Sequence, residues 1–360
     1  MKALAIYAGP RALRALRSNG LRPRHARIIP AAAGGPKGLI LNELDRYIFG
    51  DWLARSDHTV HLLGASIVAW RMATACLGDA DAGFAALARD YIAQDYPHEP
   101  GRIAPAATVS ALFGAQIERC FGGREAELLA HPRFRLHVFT SQGRHLLRRE
   151  GRVRTPLGYL AAFATNAVSR RAMGGWLERV VFSGGREPLP LRLHSYRTHC
   201  VPLTSANLQA SLLASCSIPF ALKAVHDIPG APRGAYWDGG ITDYHLHLDY
   251  ATLPEDDEPA LVLYPHFQKA VVPGWLDKML KHRHRATAHL DNVVLLCPKP
   301  EWVATLPNAK LPDRADFQRY VDDPKGRAAV WSRCVQESGR LRDEFAHWLQ
   351  KGSAGSVLPL

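Results

Sequence analysis

The chain has 360 residues, 47% hydrophobic and 22% charged, the make-up of a globular protein able to bury a sizeable core in one large α/β domain or two modest ones. No stretch approaches the roughly 20 apolar residues of a membrane span, and the opening MKALAIYAGPRALR is too short an apolar run for a secretory leader. Lys and Arg outnumber Asp and Glu by 45 to 33, a net charge of +12, which suits phospholipid headgroups, nucleic acid or an acidic substrate and equally a solvated basic surface.

Residues 11–27, RALRALRSNGLRPRHAR, read as a basic helix-like segment broken at Asn19-Gly20 and Pro23. RIIPAAA (27–33) reads as a buried strand running into GGPKG (34–38). Beyond it Ile40, Leu44, Tyr47 and Ile48 recur at helical spacing, and Pro36 suits a first helical turn. TVHLLG (59–64) is the next strand and 67–77 the next helix. Strand, glycine loop, helix, strand, serine turn and helix in that order predict a parallel α/β sheet.

Further strands are expected at 134–141, 190–196, 234–240, 260–265 and 292–297. Helices are expected over 82–95, 109–119, 156–182, 206–215, 274–290 and 326–350. LGYLAAFATNAV (157–168) reads as a buried or interfacial helix. The basic runs 144–154 and 278–285 interleave charge with Leu, Val or Met, a pattern that fits a lipid surface and a solvated helix face alike. With no clear linker before about residue 300, the expected organisation is a domain over 1–300, a helical extension over 301–350 packed on it and a flexible tail over 351–360. Six scattered cysteines with no C-x-x-C pair suggest reduced thiols in a cytoplasmic protein, soluble or peripherally attached to membrane.

Three glycine-containing motifs carry the chemistry. Gly34-Gly35-Pro36-Lys37-Gly38 at a strand-to-helix junction can turn backbone N–H groups into one hollow, suited to a phosphate or an oxyanion. It departs from a nucleotide-binding P-loop, because Lys37 precedes Gly38-Leu39. Gly64-Ala65-Ser66 places a hydroxyl at the top of a strand, beside the Ile67 N–H. Asp238-Gly239-Gly240 follows a strand and is either a plain turn or a carboxylate held at the sheet's end.

In this order AGGPKG (33–38), GASIV (64–68) and DGG (238–240) resemble the patatin-like phospholipase family. Its members carry a Gly-Gly-x-Lys/Arg-Gly oxyanion loop, a Gly-x-Ser-x-Gly elbow and an Asp-Gly-Gly/Ala motif. LLASCSIPF (212–220) is similar to the family's Ala-Ser-x-x-x-Pro segment, which shapes the acyl pocket, and LAIYAGPRALR looks like a bacterial subset. The resemblance covers residues 27 to about 245. It implies a three-layer α/β/α patatin-like fold with a mostly parallel sheet, and a serine acyl hydrolase of the phospholipase A or lysophospholipase type. Asp238 would take the proton of Ser66 as it forms an acyl-enzyme, with the amides of Gly34, Gly35 and Ile67 holding the oxyanion. Lys37, Gly38, Gly64, Gly239 and Gly240 would support the loops. Neither cofactor nor metal is implied. The expected partners are a phospholipid or other acyl ester and, peripherally, an anionic membrane. Nucleic acid is not expected, since the basic runs lack interleaved aromatics.

One residue departs from the family pattern: Val68 stands where the elbow carries its second small residue. It is expected to tilt the helix or narrow the site, so that Val68→Gly would leave the fold intact and raise turnover. Other readings stay open. A Ser–His–Asp triad could use His226, His245, His247, His266 or His289. The chain could be a catalytically impaired patatin-fold lipid-binding or interaction protein, or an acyltransferase. His245 and His247 in DYHLHLD raise a metal site without further ligands at helpful spacing. Asp243 reads as a turn residue.

Overall fold

A computed structural model describes residues 1–99, 104–185, 187–352 and 354–360. Its strands are β1 (Leu4–Ala8), β2 (Ala26–Ala31), β3 (Val60–Ala65), β4 (Phe134–Gly143), β5 (Leu177–Ser183), β6 (Thr198–Pro202), β7 (Val225–His226), β8 (Ala235–Asp238), β9 (Leu261–Pro265), β10 (Val293–Pro298) and β11 (Leu358–Pro359). They form one sheet in the order β11-β1-β10-β9-β2-β3-β4-β5-β6, with β8 also on β4 and β7 on β8. The run β10-β9-β2-β3-β4 is parallel throughout. Helices flank the sheet, giving the three-layer α/β/α fold. That is why β3, β9 and β10 read as unbroken apolar runs: each is buried along its whole length.

The helices are α1 (Pro10–Asn19), α2 (Asn42–Tyr47), α3 (Val68–Ala75), α4 (Ala80–Ile92), α5 (Ala106–Phe121), α6 (Glu125–Leu129), α7 (Arg154–Val168), α8 (Arg170–Met173), α9 (Leu208–Cys216), α10 (Gly240–Asp243), α11 (Pro300–Val303), α12 (Ala315–Arg319), α13 (Pro324–Glu337) and α14 (Gly339–Lys351). A tighter 3-10 stretch, Gly35–Leu41, leads from the glycine loop into α2.

Several expectations are corrected. The helix expected over 156–182 ends at Val168, gives one more turn in α8, and is followed by β5. Gly174-Gly175 breaks the helix, and LERVVFS then supplies the branched and aromatic side chains that pack on a pleated surface. Residues 190–196 make no strand. Pro188 and Pro190 remove donors there, and the pairing moves on to β6. The helix expected over 274–290 is three isolated 3-10 turns, Trp275–Asp277, Lys281–Arg283 and Ala288–Leu290. The stretch 326–350 divides into α13 and α14 at Ser338-Gly339. The tail is not loose at its end, because β11 pairs Leu358 with Tyr7 and Pro359 with Ala8; residue 353 lies outside the described residues. Asp243 is not a turn residue but the last residue of α10. It is buried and takes both Nε and Nη2 of Arg179, at 2.8 and 2.6 Å.

One feature of the sheet positions the site. Along one edge of β4, β3 pairs antiparallel to nothing and parallel from Val60↔Phe134 to Ala65↔Phe139. Beyond the end of β3 the same edge is taken by β8, running the other way, with Thr140↔Asp238 and Ser141↔Trp237. The opposite edge belongs to β5. Residues 66 and 238 therefore leave two strands that meet end to end against adjacent residues of β4.

Candidate active site

Ser66 follows β3 and precedes α3, and its φ of +67° lies in the left-handed region that a non-glycine residue enters at a cost. Two contacts hold it there. Its N–H donates to Ser215 Oγ at 2.9 Å, and Ser215 Oγ in turn donates to Phe139 O at 2.7 Å. Its carbonyl accepts the N–H of Ala69 at 2.9 Å, starting the helix. Gly64 is required by packing, since a Cβ there would stand 2.4 Å from the Cα of Ala69. The pinch of the elbow thus falls between Gly64 and Ala69. Val68 is buried against Gly38, where a Cβ would lie 3.4 Å from its Cγ1, so the glycine loop makes room for the valine methyls.

The Ser66 hydroxyl donates to Asp238 Oδ2 at 2.7 Å, and both residues are buried. The other carboxylate oxygen, Oδ1, accepts the Gly240 N–H at 2.6 Å. Around it the backbone is tied on every side. Asp238 N–H donates to Ser217 O, Gly239 N–H donates to Ser215 O, and Ser141 Oγ donates to Asp238 O. Burial pushes the Asp238 carboxyl up to about 6, opposed by the Ser66 hydroxyl, the Arg314 guanidinium, the Gly240 N–H and the Lys278 ammonium. Below the site, the Arg179–Asp243 pair anchors α10, and a second buried pair, Arg71 with Asp45, ties α3 to α2.

Gly35, Ser66 and Ile67 line one cleft of about 290 Å³, near the lower end of the range for small-ligand sites. Gly35 has φ +59° and heads the Gly35–Leu41 helix, and Ile67 is the N-cap of α3. Helix starts leave N–H groups without intrahelical acceptors, so both positions carry donors suited to an oxyanion. Gly34 precedes them as the N-cap of the Gly35–Leu41 stretch. Lys37 does not line the cleft. Its ammonium lies 5.3 Å from the centre of the Phe267 ring, and burial lowers its pKa. The cleft wall is largely apolar, with Val109 and Phe113 from α5 and Ile218, Phe220 and Leu222 from the stretch after α9.

The structure brings together Ser66, Asp238, Gly35, Ile67, Gly64 and Gly240 as the motif order suggests. It does not bring a histidine to the dyad: among the described residues no histidine hydrogen-bonds Ser66 or Asp238. His245 Nδ1 accepts the Val272 N–H at 2.9 Å, whereas His247 Nε2 lies 3.1 Å from Thr287 Oγ1, so the two do not share a ligand position. Among the described residues no group of three His, Cys, Asp or Glu side chains could hold a metal ion, and no helix is long and apolar enough to cross a membrane.

Two site residues escaped sequence reasoning. Ser215 lay inside the quoted 212–220 stretch, with nothing to mark it as the partner of the Ser66 N–H. Arg314 comes from the segment after residue 300 and lines the cleft beside Gly35, where a Cβ would approach its Nε to 3.3 Å. No family model matches the chain, and no curated protein matches it either.

Proposed function

We propose that the chain is a serine acyl hydrolase of the patatin-like type, cleaving acyl esters such as those of phospholipids or lysophospholipids through an acyl-enzyme. The observation that carries this reading is the direct 2.7 Å hydrogen bond from the Ser66 hydroxyl to the Asp238 carboxylate, on a serine held at φ +67° between strand and helix. Ser66 Oγ attacks the ester carbonyl carbon as Asp238 accepts the hydroxyl proton. The carbonyl oxygen becomes an oxyanion facing the amides of Gly34, Gly35 and Ile67, each such donor contributing about 3 kcal/mol to the transition state. Collapse breaks the bond to the alcohol, which leaves with the proton from Asp238. Water then attacks the acyl carbon as it gives a proton to the same carboxylate; the bond to Ser66 Oγ breaks, that oxygen takes the proton back from Asp238, and the fatty acid leaves. A carboxyl pushed up to about 6 suits this work, being a stronger base than a surface carboxylate and still mainly ionised at neutral pH.

The test compares wild type, Ser66→Ala and Asp238→Asn for hydrolysis of a soluble neutral ester and of a lysophospholipid, alongside fluorophosphonate labelling. Both variants are expected to lose turnover, and Ser66→Ala to lose the label. Full activity in Ser66→Ala overturns the mechanism. Labelling without hydrolysis, with product appearing only on an added alcohol, assigns acyl transfer instead.

A further inference from the structure

Helix α7 is apolar on its exposed face as well as on its buried one. Its buried positions include Thr155, Gly158, Tyr159, Ala162 and Asn166, whereas the exposed ones are Pro156, Leu157, Leu160, Phe163, Ala164, Ala167 and Val168. No charged residue occurs between Arg154 and Arg170. A helix on a water-facing surface ordinarily turns its apolar stripe inward and shows water its polar side. Of the eleven large apolar side chains exposed among the described residues, five lie on α7 or immediately before it, with Leu160 at 64% and Val153 at 70% exposure. Scattered exposed leucines need no explanation, but a stripe at helical spacing does.

Both basic runs noted in the sequence border this stripe. Arg154, at the start of α7, donates to the carbonyls of His145 and Leu146. At the other end, Arg283 donates to the carbonyls of Asn166 and Ala167, bringing the 278–285 run alongside. Arg148, Arg149, Arg152, Arg171, Lys281 and Arg285 have no carboxylate partner among the described residues. From 144 to 174 there are seven arginines against one acid, Glu150, which pairs with Lys223. Met279, in the second run, is 82% exposed.

The stripe also adjoins the site. Tyr159, on the inner side of α7, packs edge-on against Trp237 at 5.6 Å and Phe220 at 6.0 Å. Phe220 is 61% exposed, has φ +70°, and lines the same cleft as Ser66. A bulky residue in that backbone region is a genuine outlier.

We propose that the exposed face of α7, with Phe220 and Met279 beside it, is the surface on which the protein seats itself on an anionic lipid interface, the apolar side chains entering the acyl boundary and the flanking cations meeting the headgroups. The cleft mouth then opens toward lipid. The purpose of this docking rests on the esterase reading; the docking itself is measured without it.

The Ser66→Ala chain, which spares the membrane under that reading, is sedimented with phosphatidylcholine vesicles and with mixed phosphatidylglycerol–phosphatidylcholine vesicles. Partitioning is expected on the mixed vesicles, weaker on phosphatidylcholine alone and falling with salt. Leu160→Asp and, separately, Leu157→Ser are expected to reduce it about tenfold or more, and each Arg148→Gln or Arg149→Gln about fivefold on mixed vesicles only. These positions are exposed, so unchanged thermal unfolding confirms that the variants remain folded. No enrichment on mixed vesicles at low salt overturns the proposal. So does binding that responds to the arginines and ignores both leucines, which is adhesion by charge alone. A dimer on gel filtration that Leu160→Asp splits assigns the face to a second copy of this chain. If wild type hydrolyses no soluble ester, the esterase reading fails and the vesicle result still decides the docking.

Discussion

Replacing Asp238 by Asn is expected to abolish turnover and, above neutral pH, to make the protein more stable. The carboxylate is buried, and its pKa is raised from 3.8 to about 6, chiefly by that burial. In the folded chain the neutral acid is therefore favoured over the ion, relative to the unfolded chain. The native state binds the proton more tightly, so stability is fully present below the unfolded pKa of 3.8, declines as pH rises toward about 6, and stays reduced above it. A rise of about 2 units corresponds to at most about 3 kcal/mol. Asparagine keeps the hydrogen bonds: its Oδ1 can accept the Gly240 N–H now given to the carboxylate, and its amide can donate to Ser66 Oγ. The variant removes the buried charge and keeps a hydrogen bond to both Ser66 and Gly240.

The assay is urea unfolding of wild type and Asp238→Asn at a series of pH values. The two should nearly coincide around pH 4 and separate through about pH 6, with the variant ahead by about 1–3 kcal/mol around pH 8. Turnover should fall by a factor of about 10² to 10⁴, the usual contribution of a general base. A stability difference that is flat with pH would show that the carboxylate is not strained by burial, and the pKa argument for Asp238 as base would go with it.

The pH profile of wild-type kcat/KM should rise through about 6 as Asp238 ionises in the free enzyme. Arg314→Gln removes a cation that favours the carboxylate, so its acid limb should move to higher pH; an unmoved limb means Arg314 does not act on Asp238. Gly64→Ala drives a Cβ to within 2.4 Å of Ala69 Cα and is expected to cost about 1–3 kcal/mol or more by thermal or urea unfolding, with slower fluorophosphonate labelling. Val68→Gly empties a buried site and is expected to lose about 2–3 kcal/mol while leaving turnover at or below wild type. A rise in turnover would return the crowding of the elbow to position 68.

Much of the fold was legible where one physical signal acted alone. Buried parallel strands announce themselves as apolar runs, and β2, β3, β4, β9 and β10 fall close to where those runs lie. β5 was hidden because LERVVFS follows the helical stretch α7–α8 with only Gly174, Gly175 and Trp176 between them, and period alone does not separate a short strand from a helix continuation. The Ser66 and Asp238 motifs stood out as glycine-flanked polar residues at strand ends. Their pairing came from a resemblance, since nothing local to either residue names the other. What stayed invisible was wholly tertiary: Ser215 under the Ser66 N–H, Arg179 under Asp243, and Arg314 arriving from the C-terminal segment. The elbow shows the same limit. Sequence spacing drew attention to Val68, but the close approach of helix to strand is made at Ala69, one residue on, and only packing reveals that.

The sheet itself accounts for the dyad's geometry. A serine on one loop and an aspartate on another would owe their separation to two mobile segments. Here Ala65 is paired with Phe139 and Asp238 with Thr140, so consecutive residues of β4 set the spacing of the two chain ends. Phe139 O then accepts the Ser215 hydroxyl that receives the Ser66 N–H, and Ser141 Oγ donates to the Asp238 carbonyl, so β4 also supports each residue from beneath. This support is what allows two unfavourable features, a left-handed serine and a buried carboxylate, to sit 2.7 Å apart. The strain is local and its restraint comes from the sheet, which under the proposed reaction is what keeps serine and carboxylate preorganised.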